Sequence, residues 1–151
     1  MAPGAVMVAG LVTRRQNGHI AVAGPLTNLT LFLVGIPLWG LILGLSGAFN
    51  GLPDTGSTLF GREYLLDGLL VWQSMLVDAG VYWLGANLVL GLFNMIPWGP
   101  LDGLKVKDWN DQAFFTVIMV FAILVFTMFT GVWTPTNVLQ TIADPISGFI
   151  R

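Results

Sequence analysis

The chain has 151 residues, 55% of them hydrophobic and 9% charged, with a formal net charge of -2. So few charges exclude an ordinary water-facing surface, because a soluble domain carries about a quarter Asp, Glu, Lys and Arg; lipid is the simplest surrounding for the remainder. The small charge and the lack of any basic run exclude nucleic acid as a partner, and the absence of cysteine excludes a disulfide framework and a thiolate metal site.

The amino end, MAPGAVMVAG, lacks the charged start and long apolar core of a cleaved signal peptide, so membrane insertion is expected to rest on internal segments. Residues 5–12 and 20–23 are short apolar runs around TRRQNGH, and Asn17-Gly18 is a strong hairpin-turn pair. The expectation is a small β-hairpin within residues 1–24, placed at the membrane boundary because neither run can cross a bilayer.

Three stretches follow that are long and apolar enough, or nearly so, to span as helices: residues 29–49, 79–97 and 113–133. The first is free of charge, and Gly35, Pro37 and Gly40 point to a kink. The second carries Asn87 and Asn94 at membrane depth, which favours a span facing other protein. The third, AFFTVIMVFAILVFTMFTGVW, is the clearest. Residues 64–78 carry Asp67, Gln73 and Asp78, and read either as an extension of the second span or as an interfacial segment. Residues 134–151 read as a peripheral tail, with Pro135 and Pro145 breaking any long helix. The fold class is therefore a mainly α membrane protein with one membrane-embedded domain over residues 1–151.

With three crossings, Arg14 and Arg15 fall on the same side as Lys105 and Lys107. That side holds four of the six basic residues and is expected to be cytoplasmic. Residues 51–63, with Arg62 and Glu63, fall on the other.

The chemistry concentrates in residues 94–103, NMIPWGPLDG. Its plain reading is a helix stop: prolines that break, glycines that turn, and Asp102 as a cap or a solvated loop carboxylate. Its sharper reading is irregular backbone lining a cavity, with Asp102 turned inward as a ligand.

AGPLTN at residues 23–28 followed by FNMIPWGPLDG at residues 93–103 resembles the site-2 protease family of intramembrane zinc metalloproteases. That family has a GPxxN element before one transmembrane helix and an N-x-x-P-x-x-P-L-D-G element after a later one. The resemblance implies that Asp102 corresponds to the carboxylate ligand of a catalytic zinc, beside two histidines. It implies that Asn94 stabilises an oxyanion or holds substrate backbone. It also implies that Gly24, Pro25 and Asn28 position substrate or scaffold, although a tight turn capped by Asn28 accounts for them equally well.

The family's HExxH helix is missing from this sequence, whose lone histidine, His19, reads more simply as turn chemistry beside Asn17-Gly18. Glu63, across the membrane from Asp102, cannot supply the base. The expectation is thus the C-terminal portion of such a protease, binding no catalytic zinc by itself and not established as an enzyme. The competing expectation is an inactive relative that holds transmembrane helices without cutting them. Whether the chain is a shortened product, a misplaced start or a natural short form stays open. A transporter is disfavoured because no charge lies within residues 29–49 or 113–133. Partners implied by the resemblance are the lipid bilayer and transmembrane protein substrates, in a prokaryotic cell membrane. A strand edge at Val22 would pair with unwound substrate backbone.

Overall fold

The computed structural model describes residues 12–49 and 71–150, which form five helices and no strand among the described residues. They are α1 (Arg14–Ser46), α2 (Val71–Asn94), α3 (Asp102–Trp109), α4 (Asp111–Phe129) and α5 (Pro135–Ile150). The described residues group into two units. One holds 12–31 and 87–126; the other holds 32–49, 71–86 and 127–150.

Helix α1 begins where a hairpin was expected. The Thr13 hydroxyl accepts the Gln16 N–H at 3.3 Å, and the Gln16 side-chain oxygen accepts the Thr13 N–H at 3.0 Å. This reciprocal capping box satisfies two donors that a helix start otherwise leaves open. Asn17, Gly18 and residues 20–23 are therefore helical, so the expected turn and second strand are corrected. The first expected strand lies almost entirely outside the described residues, as do residues 51–63. The helix runs on through Pro25 and Pro37. Nearby, the Thr27 and Thr30 hydroxyls donate to the Ala23 and Leu26 carbonyls at 2.8 and 2.9 Å. It stops at Gly47, where φ is +61°. There Gly47 N–H donates to Gly44 and Ala48 N–H to Leu43, the paired bonds of a Schellman cap. Helix α4 ends in the same way at Gly131.

Among the described residues three helices are long and apolar enough to span a membrane: Arg14–Ser46, Gln73–Asn94 and Asp111–Phe129. They match the three expected spans, each shifted toward the amino end. Residues 71–78 extend α2, which decides the part of the 64–78 question that the described residues reach. Leu33, Val34, Phe115, Met119, Ile123 and Phe126 are each more than half exposed. In water each such side chain would forgo about 1.5–3 kcal/mol of burial, so lipid is the surrounding this surface fits.

The expected proline breaks in residues 134–151 are also corrected. Thr134 caps α5 by accepting the Asn137 N–H at 3.2 Å, and Pro135 takes the first helical position, where a missing N–H costs nothing. Pro145 lies inside the helix without ending it. Within the second unit α5 lays Ile142 and Ile146 over Gly40 and Gly44 of α1, and Leu139 and Ala143 are buried.

In the first unit, α2 ends in a tightened turn, with Met95 N–H donating to Leu92 and Ile96 N–H to Phe93. Pro97 and Pro100 keep the chain from resuming a helix until Asp102. Asn110 then serves two helices. Its N–H closes α3 on the Val106 carbonyl at 2.8 Å, and its side-chain oxygen caps α4 by accepting the Ala113 N–H at 3.0 Å.

Candidate metal-ligand site

Asp102 opens α3 and is buried, with 8% of its surface exposed. A carboxylate at a helix start is favoured by the N–H groups and dipole there. Burial would still cost it several kcal/mol without a partner. Lys105, one turn later, supplies one: its ammonium lies 3.0 Å from Oδ1.

The other oxygen faces the GPLTN element. A methyl group added at Gly24 would lie 3.1 Å from Asp102 Oδ2, tighter than nearly all real contacts of that kind. Glycine at position 24 therefore leaves room for the carboxylate of a distant motif. Pro25 is fully buried, and Asn28, one helical turn beyond Gly24, is half-buried. Helix α1 thus contributes glycine and asparagine on one stripe and proline to the core beside it.

Gly103 explains the next letter of PLDG. A side chain there would overlap the Met95 carbonyl, so the start of α3 lies directly on the last turn of α2. Asn94 is the last residue of α2 and half-buried. The side-chain amides of Asn28 and Asn94 hydrogen-bond to no other described residue, and both remain available to a ligand.

His19 is not at a turn. It lies on α1 with its ring edge-on to Trp109, the centroids 4.5 Å apart and the planes at 88°. Trp109 also covers Gly18, where any side chain would collide with the indole. The turn reading of His19 fails because the capping box starts the helix ahead of it. Val22 is likewise helical, which removes it as a strand edge for substrate. Glu63 lies outside the described residues.

The structure therefore brings Gly24 and Asp102 together and leaves Asn94 and Asn28 without a hydrogen bond to either. It adds the pairing of Lys105 with Asp102, at an ordinary helical ion-pair spacing of three residues, for a lysine that the sequence shows only as a charge setting orientation. No three His, Cys, Asp or Glu side chains converge among the described residues. Among the described residues Asp102 offers one donor of a type that zinc accepts, one of the three protein ligands a catalytic zinc centre takes.

A protein of Methanocaldococcus jannaschii named "Putative zinc metalloprotease" is 34% identical to this chain over 111 residues, 73% of the chain and 44% of that protein. The chain thus spans under half the length of the relative it matches. No family model and no solved structure matches it. The likeness supports a zinc metalloprotease family for this chain.

Proposed function

We propose that the chain is a membrane-embedded part of an intramembrane zinc metalloprotease of the site-2 type, hydrolysing peptide bonds in or near transmembrane helices. The observation that carries this reading is the approach of Gly24 to the Asp102 carboxylate, which joins its two motif elements at one buried oxygen. Asp102 is the carboxylate ligand, and the remaining ligands come from outside the described residues. When bound, zinc would supply an acidified water. The residues present here do the holding: Gly24 clears space, Gly103 seats α3, and the free amides of Asn28 and Asn94 bind substrate backbone.

The test is a chimaera in which this chain replaces the matched region of the Methanocaldococcus jannaschii relative. It should cleave a transmembrane reporter, and Asp102→Ala should abolish the cleavage. Undiminished cleavage by the variant would sink the assignment.

One observation favours the second reading, an inactive relative that binds transmembrane segments. Lys105 already neutralises Asp102, so the carboxylate is stable without a metal. A chimaera that folds, binds the reporter and leaves it intact would support that reading instead.

A further inference from the structure

We propose that the groove between α1 and the first turns of α4 binds one anionic phospholipid, with an acyl chain in the groove and the phosphate toward Arg14 and Arg15. The groove has a volume of about 470 Å³. Its apolar wall is Val22 and Leu26 of α1 with Ala113 and Val117 of α4, and Asn110, Gln112 and Thr116 bring polar groups to it.

The sequence of α1 extends that wall to a cation. Arg15, His19, Val22 and Leu26 recur at steps of four, three and four, so they form one stripe of the helix. Trp109 lines the groove and meets His19, where the stripe changes from apolar to charged. An indole at such a change is the usual marker of headgroup level.

The charges select the headgroup. Arg14 and Arg15 are exposed and have no carboxylate partner among the described residues. Lys107 sits over the Phe114 ring at 5.9 Å, while Lys105 is engaged by Asp102. Asp108 and Asp111 are also exposed here, so among the described residues Arg14, Arg15 and Lys107 stand against two carboxylates. The excess is small and favours a phosphodiester without a compensating ammonium.

The size of the groove selects a slender occupant. A helix 10–12 Å across fills roughly 400–600 Å³ in each turn, so this space would take about one turn of a partner helix. An acyl chain can lie along it, and helix α1 is long enough to reach from hydrocarbon to headgroup. With 33 residues it measures about 50 Å, against a hydrocarbon core of about 30 Å. The inference does not depend on the protease reading.

The experiment is native mass spectrometry of the full chain released from nanodiscs of equal phosphatidylglycerol and phosphatidylcholine. The protein should retain one phosphatidylglycerol in preference to phosphatidylcholine. Arg14→Gln with Arg15→Gln should lower that preference by roughly fivefold for each charge removed. Ala113→Phe and Val117→Phe, each filling the groove, should lose the bound lipid, whereas Met119→Phe on the exposed face of α4 should keep it. Circular dichroism establishes that each variant is folded before it is scored. Equal retention of both lipids, retention unchanged in both groove-filling variants, or displacement by glycerol phosphate alone would overturn the proposal. So would a photo-crosslinker at position 113 that captures a transmembrane peptide rather than lipid.

Discussion

Asp102 is tolerable in its buried place because Lys105 lies one turn away, and each depends on the other. Replacing Lys105 by Met leaves a buried carboxylate without its counter-ion and should lower stability by about 1–3 kcal/mol. Lys105→Met combined with Asp102→Asn should recover part of that loss, because the pair is removed together. Thermal unfolding of the four proteins in detergent checks both values. Gly24 makes a different demand. Gly24→Val places a branched side chain against Oδ2, which must give way, so it should lower zinc retention in the chimaera, while Gly148→Val, at a glycine with open space around it, should not. Asp102 and Gly24 stand out in the sequence through their motifs. Their contact does not, because it depends on how α1 and α3 pack, and no local pattern encodes that. The Lys105–Asp102 pair is encoded locally by its spacing of three residues, but spacing alone does not distinguish it from a pair of solvated charges.

At the scale of the element, two local signals competed at the amino end. Asn17-Gly18 favours a turn, while Thr13-Arg14-Arg15-Gln16 forms a capping box ahead of a long apolar run, and the helix wins. Isolated turn chemistry yields where a cap is followed by many turns that each add a hydrogen bond. Thr13→Ala should therefore cost about 1 kcal/mol, seen as faster amide exchange in the first turn of α1 with the rest of the helix unchanged. The same lesson holds at the carboxyl end. Pro135 starts α5 because it follows a threonine cap, so its position, rather than its identity, decided its effect. Gly44 shows what that helix requires: a side chain there would meet Ile146 and the Ala143 carbonyl. Gly44→Leu should destabilise the second unit by about 1–3 kcal/mol through overpacking, measurable as a lower unfolding temperature.

For the whole molecule, the spans were the most legible feature, since length and the near-absence of charge decide them with little help from packing. Their limits were less so, because the polar residues 14–19 and Gln73 belong to the helices yet lie outside the apolar runs. Arg15 and Lys107 flank elements that meet through Gly18 and Trp109, which supports placing both at one membrane face. The chain has no cysteine, so single substitutions can report that directly. Arg15→Cys and Lys107→Cys should be labelled by an impermeant maleimide from the same side of sealed vesicles, the cytoplasmic one. Labelling from opposite sides would refute the topology. If the two separated motifs meet at a metal-ligating carboxylate, as proposed, the zinc content of the purified chimaera will report it. About one zinc per chain is expected, falling by at least about tenfold in Asp102→Asn; equal zinc in both proteins would rule out Asp102 as a ligand.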